Sequence, residues 1–142
     1  SRKGISVFQV DQTKLSLNEG VFLSESEWLG FFKKEDIKIP LQMKNWQQKD
    51  WLIQLENNTD LLVRKRRPGD RFIMDQTGKR KKVSRYFIDQ KIPQEERVRS
   101  WIVEDNLGAI KCLVPFRESY LSIRDETDKI HYKLVYLYKK DK

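Results

Sequence analysis

The amino-acid sequence predicts an α+β fold, a mostly antiparallel sheet with one or two short helices that carry a basic face. Three observations support this prediction. Short segments that alternate apolar and polar residues recur along the chain, one stretch near residue 80 has helical periodicity, and the net positive charge comes from residues 64–85. Because 38% of the 142 residues are hydrophobic, we expect a packed core of one ordinary domain or two small ones.

Strands are predicted for most of the chain before residue 57, because apolar residues there alternate with polar ones. Ser24 and Glu27 have the spacing of a capping box, which predicts a short helix that Gly30 would end or weaken. Pro40 lacks a backbone donor, so it limits its own segment to an edge strand or a bulge. The predicted strands are residues 5–10, 13–17, 21–24, 36–43 and 51–56.

A hairpin is predicted where Asn-Asn-Thr-Asp, residues 57–60, separates two alternating segments. The charge pattern changes at the same place. We therefore divide the chain into residues 1–57, a strand-rich N-terminal segment that is either separate or part of the same fold, and residues 58–142.

The basic stretch is predicted to begin as a strand that a tight turn interrupts. Strand geometry would place Arg64 and Arg66 on the same face. The sequence Pro68-Gly69-Asp70 predicts a turn, because proline fixes φ and glycine permits positive φ. We expect Asp70 to close this turn and residues 71–74 to be extended again.

A helix over residues 79–90 is predicted from apolar and aromatic residues at helical spacing. We assign its aromatic pair to the core and not to base stacking. Pro93 and the acids after it predict the first turn of a second helix. The packed face of the first helix would consist of Val83, Tyr86, Phe87 and Gln90, and the opposite face of Lys81, Lys82 and Arg85.

Strands are predicted again after residue 100. Residues 101–105 and 109–115 flank an Asn-Leu-Gly turn and indicate a hairpin, and residues 120–123 alternate. Residues 130–140 are apolar on both faces in the middle, which predicts a central strand. We interpret His131 as an ordinary residue of that strand.

Positive charge is concentrated in residues 64–85. They contain ten Lys or Arg and two Asp, a net charge of +8, and the whole chain also has a net charge of +8, so the other residues sum to zero. Six of the ten are arginine, whose forked donors suit phosphate. The pattern favours nucleic-acid binding over a merely solvated face, and it does not separate RNA from DNA.

Other classes of function are disfavoured by the composition. One histidine and one cysteine, His131 and Cys112, cannot build the usual zinc site, and no glycine-rich phosphate loop occurs. We expect no metal, no catalytic residue and no membrane span, because no apolar run approaches about 20 residues. The single cysteine fits a reducing, cytoplasmic compartment. Since the chain starts at Ser1 without methionine or a signal peptide, we expect an excised piece of a longer protein.

A resemblance to the C-terminal domain of bacterial tRNA(Ile)-lysidine synthase is carried by residues 63–97, VRKRRPGDRF followed by GKRKKVSRYFIDQKIPQEER. That family has spaced arginines, a Pro-Gly-Asp-Arg turn, a glycine with paired lysines, and Phe-Ile-Asp-x-Lys-Ile-Pro before an arginine. Near the second hairpin it has a glycine before an arginine, where this chain has Phe116 before Arg117. The matching residues are Arg64, Arg66, Pro68, Gly69, Asp70, Arg71, Gly78, Lys81, Lys82, Phe87, Ile88, Asp89, Lys91, Ile92, Pro93 and Arg97.

The resemblance implies a function for a longer parent enzyme. Such an enzyme activates the wobble cytidine of a tRNA(Ile) with a CAU anticodon, using ATP with Mg, and joins lysine to it. The catalytic Ser-Gly-Gly-x-Asp-Ser loop of its N-terminal ATP-pyrophosphatase domain does not occur in this sequence. The resemblance therefore implies an inactive C-terminal fragment without a cofactor, which binds the tRNA acceptor stem.

Roles for single residues follow from the resemblance together with the charge pattern. Contacts to the tRNA backbone are predicted for Arg64, Arg66, Arg71, Lys79, Lys81, Lys82 and Arg85. Structural roles are predicted for Pro68, Gly69, Asp70, Phe87, Asp89, Lys91, Pro93 and Arg97. For Asp89 and Lys91 we favour a structural ion pair over contacts to the RNA. The residues expected to anchor the helix to the sheet are Val83, Phe87, Ile88 and Ile92.

The sequence is also compatible with two other functions. One is a stand-alone RNA- or DNA-binding module with no enzyme attached. The other is a protein-interaction domain whose basic face meets an acidic partner. The sequence does not indicate an oligomeric state.

Overall fold

The computed structural model describes residues 12–55, 59–120 and 131–140. In this part of the chain, eleven strands form two sheets and a separate two-stranded ribbon, and every strand pair is antiparallel. The predicted α+β class is confirmed. The elements are β1 (Gln12–Leu15), β2 (Glu19–Ser24), β3 (Glu27–Lys33), β4 (Gln47–Gln54), β5 (Leu61–Arg64), β6 (Arg71–Ile73), β7 (Arg80–Lys82), α1 (Val83–Asp89), α2 (Gln94–Val98), β8 (Trp101–Glu104), β9 (Ile110–Val114), β10 (Arg117–Glu118) and β11 (His131–Tyr138).

The two larger sheets pack face to face. The first sheet has the strand order β1-β5-β8-β9-β10, and the second has the order β2-β3-β11-β4. Every second residue of a strand points to the same side, so the inward side chains of both sheets meet in one hydrophobic core. Fully buried members of this core include Leu15, Val63 and Cys112 from the first sheet and Phe31 and Leu134 from the second.

Each sheet also has a packed outer face. Outside the first sheet, Ile102 packs in a cluster with Phe72 of β6 and Phe87 of α1. Outside the second sheet, Val135 belongs to a cluster with Met43, from the connection between β3 and β4. The ribbon and α1 therefore form a layer on the outer face of the first sheet.

Several local predictions are confirmed. Strand β11 is central in its sheet, because it pairs with β3 on one side and β4 on the other. Strands β8 and β9 form the predicted hairpin, with Gly108 at a φ of 85° in its turn. The turn before β6 has Gly69 at a φ of 87°. In both sheets, strands from before residue 56 pair with strands from after residue 58.

Two predictions for the N-terminal part are wrong. Residues 24–31 form no helix: Ser24 ends β2, Glu27 begins β3, and the Ser24 hydroxyl donates to the Glu27 carboxylate at 2.9 Å across the turn. The spacing of a capping box is also the spacing across this tight hairpin. Residues 36–43 form no edge strand, because the chain enters a short 3-10 helix, Leu41–Met43, after Pro40.

Two longer-range predictions are also wrong. Strands β4 and β5 do not pair with each other, because β4 pairs with β11, whereas β5 lies between β1 and β8. The helix expected from residue 79 begins only at Val83, after strand β7, and Gln90 is exposed. The strand predicted at residues 5–10 and residues 121–123 lie outside the described residues. No helix in the described part of the chain is both long and apolar enough to span a membrane.

A close approach of Trp28 to the backbone of β2 leads to a first prediction. Gly20 pairs with Gly30 across β2 and β3, and a Cβ added at Gly20 would lie 1.9 Å from Cζ2 of Trp28. We expect Gly20→Ala to displace the buried indole and to lower the free energy of unfolding by about 1–3 kcal/mol. Chemical denaturation measures this loss. On the same strand, Phe22→Ala removes an exposed ring and is the control with the smaller expected effect; equal effects would contradict the packing argument.

Candidate nucleic-acid interface

A buried ion-pair cluster fixes the turn that leads from the first sheet to the ribbon. Arg64, at the end of β5, is only 5% exposed and donates to both carboxylate oxygens of Asp70, at 2.9 and 3.0 Å. Its Nε also donates to Glu104 Oε1 of β8, at 2.5 Å. The planar guanidinium thus donates to two carboxylates and, through Nη1, to Lys65 O at 3.0 Å. Its side chain faces the protein and not the solvent.

Asp70 also closes the turn through its own backbone and side chain. Its Oδ2 accepts the backbone N–H of Arg67 at 2.7 Å, and its carbonyl oxygen accepts the N–H of Val83 at 2.9 Å. Burial alone would raise the pKa of Asp70, but hydrogen bonds from Arg64 and Arg67 outweigh it and lower the pKa below its ordinary value. The carboxylate therefore stays charged at neutral pH and holds the turn, while the backbone carbonyl of Asp70 joins the turn to the start of α1.

The ribbon formed by β6 and β7 has an inward and an outward face. Phe72 points inward, where it is buried with its ring centre 5.7 Å from that of Tyr86. The residues on either side of it along β6, and their partners on β7, point the other way. Arg71 lies opposite Lys82, and Ile73 lies opposite Arg80. This outward face, defined by Arg71, Ile73, Arg80 and Lys82, therefore carries three cations around one apolar side chain.

The two aspartates of the basic stretch do not neutralise the outward face. Asp70 is held by Arg64, and Asp75 forms the turn between the ribbon strands, where it accepts the N–H and hydroxyl of Thr77 at 2.9 and 2.5 Å. Among the described residues, the cations of the outward face form no ion pair. Like charges on facing strands repel, so this arrangement costs stability and leaves uncompensated positive charge.

A third aspartate neutralises the neighbouring cations of β7 and α1. Asp89 pairs with Lys81 and, at 3.2 Å, with Arg85 one helical turn before it. The predicted ion pair between Asp89 and Lys91 is wrong. Lys81 points to the inward side of the ribbon, beside Phe72 in the cross-strand register, which is why it reaches α1.

Lys91 has a backbone role at the end of α1. It has a φ of 55°, its N–H donates to Ile88 O at 3.1 Å, and the next N–H, of Ile92, donates to Phe87 O at 3.0 Å. These two bonds are those of a Schellman motif, in which a left-handed residue ends a helix. Ile92 packs against the cluster outside the first sheet, and Arg97 Nε donates to Ile92 O at 2.7 Å. Ile88, in contrast, is exposed and anchors nothing among the described residues.

A depression of about 350 Å³ lies between the turn and the start of α1. The exposed cations that line it are Arg66 and Arg67 from the turn and Lys82 from the ribbon. The guanidinium of Arg66 lies 5.1 Å from the centre of the Phe87 ring, a cation–π contact that orients it. Cations from the turn and from the outward face therefore converge at one concave surface.

The seven cations predicted from the sequence fall into three groups. Arg64 is buried, and Lys81 and Arg85 pair with Asp89. The other four are exposed and form no ion pair within the described residues: Arg66, Arg71, Lys79 and Lys82. Sequence reasoning missed Arg67 and Arg80, and strand alternation from Lys82 would have found Arg80.

Aromatic packing supports this surface from below. Phe116, where the sequence departs from the family pattern, lies 5.8 Å from Phe87 and 6.5 Å from Tyr86 between ring centres. The next residue, Arg117, donates to Met74 O at 3.2 Å and so joins β10 to the end of β6. Within the described ranges, no group of three or more His, Cys, Asp or Glu side chains is placed to hold a metal ion.

Comparison with known proteins relates the chain that carries this surface to a family. Residues 61–112, from β5 to β9, match the family described as the TilS substrate C-terminal domain. A tRNA(Ile)-lysidine synthase of Enterococcus faecalis (strain ATCC 700802 / V583) is 42% identical over 118 residues, which are 82% of this chain and 25% of the relative. Residues 61–112 therefore belong to the TilS substrate C-terminal domain family.

Two further comparisons agree with this membership. A tRNA(Ile)-lysidine synthase of Geobacillus kaustophilus (strain HTA426) is 46% identical over 59 residues, 42% of this chain and 13% of the relative. A crystal structure of a TILS C-terminal domain has a TM-score of 0.60 at 26% identity and covers 92% of this chain and 99% of its own. The chain thus spans about a quarter of the Enterococcus relative. The solved C-terminal domain, in contrast, matches nearly all of the chain.

The buried pair of Arg64 and Asp70 predicts acid-sensitive stability. Since the pKa of Asp70 is lower in the folded state than its ordinary value, its contribution is present above about pH 4 and is lost as the pH falls through the lowered pKa. Asp70→Asn should lower the free energy of unfolding at pH 7 by about 2–4 kcal/mol, because Arg64 loses a buried partner.

Urea unfolding at pH 7 and near pH 3 measures this effect, which should shrink at the lower pH. The control is Asp60→Asn, which removes a solvent-exposed pair with Lys14 and should cost less than about 1 kcal/mol. Equal losses from the two substitutions at pH 7 would show that the buried cluster does not hold the turn.

The positive φ of Lys91 predicts a stabilising substitution in the family motif. A left-handed backbone costs a non-glycine residue about 1–2 kcal/mol, and glycine avoids this cost. Because glycine loses more conformational entropy on folding, part of that gain is cancelled. Lys91→Gly should therefore raise the free energy of unfolding by roughly 0.5 kcal/mol. Lys91→Ala removes the same charge and keeps the strain, so a gain from alanine as large as that from glycine would point to charge and not to backbone conformation.

Proposed function

We propose that this chain is the substrate-recognition part of a tRNA(Ile)-lysidine synthase and that it binds tRNA, at the acceptor stem. The observation that carries this proposal is the outward face of the ribbon together with the depression beside it. Its cations have no carboxylate partner among the described residues, although such a partner would relieve their mutual repulsion. The names of the relatives, tRNA(Ile)-lysidine synthase, indicate that the nucleic acid bound by such a surface would be a tRNA.

The chemistry of the surface suits the backbone of a folded RNA. Each phosphate that a lysine or arginine neutralises releases counterions, which makes binding favourable and dependent on salt. An A-form stem offers phosphates and 2′-hydroxyl groups while its bases stay inaccessible in the deep groove, so it is recognised by shape and charge. A ribbon held rigidly by Phe72 presents its cations without a large cost of ordering them.

The chemical reaction is proposed for a part of the parent protein that this chain does not contain. There, ATP with Mg would activate the wobble cytidine of a tRNA(Ile) with a CAU anticodon, and lysine would be joined to it. This chain would bind no ATP and would be inactive alone. Its contribution would be to hold the tRNA so that the distant anticodon reaches the catalytic domain.

Two single substitutions test the interface. Arg71→Ala and Lys82→Ala should each weaken tRNA binding about three- to tenfold and reduce the slope of log K against log salt by about 1. Because the two residues face each other, removing either one relieves repulsion, and the melting temperature should stay equal or rise. Fluorescence anisotropy of labelled tRNA over a salt series measures the first effect, and thermal unfolding measures the second.

The matched control is Lys38→Ala. Lys38 is exposed in the connection that covers the outer face of the second sheet, so its loss should change neither affinity nor slope. An affinity that is flat over the salt series, or an equal loss from Lys38→Ala, would rule out the outward face as a phosphate-binding surface. Equal binding of tRNA and of a DNA duplex of similar length would instead favour a general nucleic-acid-binding module.

A further inference from the structure

The segment that follows β10 is hydrogen-bonded to the β6 side of the ribbon, along the edge of β6 that does not pair with β7. The backbone N–H of Tyr120 donates to Ile73 O at 2.8 Å, and Arg117 donates to Met74 O at 3.2 Å. Ser119 is held from the other side, since its N–H donates to Lys111 O of β9 at 2.9 Å. Tyr120 is therefore fixed beside the apolar residue of the outward face.

Tyr120 differs from the other aromatic residues around the ribbon. Phe72, Tyr86 and Phe87 are buried, and Phe116 is half-buried among them, whereas Tyr120 is 39% exposed. Its neighbour Ile73 is 36% exposed. The backbone bond to Ile73 therefore places an exposed aromatic residue next to a ribbon face whose three cations have no ion-pair partner among the described residues.

We propose that Tyr120, supported by Ile73, is a stacking site for an unpaired nucleobase of the bound RNA, an inference that rests on the proposed function. Phosphate binding accounts for the cations but gives no reason for an exposed aromatic ring beside them. Stacking on an aromatic side chain is how proteins bind the bases of single strands, while the bases of an A-form duplex are inaccessible. The site would thus recognise a nucleotide that continues beyond a stem whose backbone lies on the outward face.

Two model RNAs separate stacking from phosphate binding. One is a blunt RNA duplex, and the other is the same duplex with a short unpaired 3′ extension. The extension should raise the affinity of the 142-residue chain about tenfold, as expected for one stacked base. Tyr120→Ala should abolish this gain and leave the affinity for the blunt duplex unchanged, whereas Tyr120→Phe, which keeps the ring, should retain it.

The control is Phe22→Ala, which removes an exposed aromatic ring from the second sheet and should leave the gain intact. Ile73→Ser, which keeps the backbone bond to Tyr120, should reduce the gain from the extension. An extension that adds no affinity, or an equal loss for both RNAs in Tyr120→Ala, would overturn the stacking site. If the blunt duplex is bound with the expected salt dependence, that failure leaves the proposed function standing; if the blunt duplex is not bound at all, the proposed function itself fails.

Discussion

The hydrogen bonds between Arg64, Asp70 and Glu104 join three parts of the molecule that the interface needs in fixed positions. Arg64 and Glu104 belong to neighbouring strands of the first sheet, and Asp70 belongs to the turn that starts the ribbon. A buried charge that loses its partner is strongly destabilising, so this cluster strongly favours one position of the turn. The bond from Val83 N–H to Asp70 O then fixes the end of the ribbon relative to the turn. The positions of the exposed cations on the ribbon therefore depend on a buried one, Arg64.

The outward face is a compromise between stability and charge. Its cations repel one another across the ribbon, and three aspartates of residues 64–89 bind other groups: Asp70 forms a buried pair, Asp75 forms a turn, and Asp89 pairs with Lys81 and Arg85. Buried aromatic rings beneath the ribbon supply compensating stability, since Phe72, Tyr86 and Phe87 pack against the first sheet. Charge of one sign can be retained on such a surface because apolar packing on its other side holds the ribbon in place.

Local signals in the sequence predicted much of this fold, and long-range pairing could not be read from it. Alternation identified β5, β8, β9 and the central β11, and the turn at residues 68–70 follows from its proline and glycine. The pairing of β4 with β11 joins segments separated by more than 70 residues, which no turn between them specifies. The Ser24–Glu27 spacing fits two structures equally well, a helix start and a tight hairpin, and packing of β3 in the core decides between them.

For the interface, the charge count located the surface, but the conformation of each element decided which cations are available. Residues 80–82 alternate as a strand and not as a helix, so Arg80 faces outward while Lys81 turns inward to Asp89. Arg64 is indistinguishable from its neighbours in sequence, and only its position opposite Asp70 and Glu104 buries it. A strand sets the direction of each side chain by backbone geometry alone. The cations on the ribbon are therefore placed by its register, and this fixed arrangement is what the proposed binding of an RNA backbone would require.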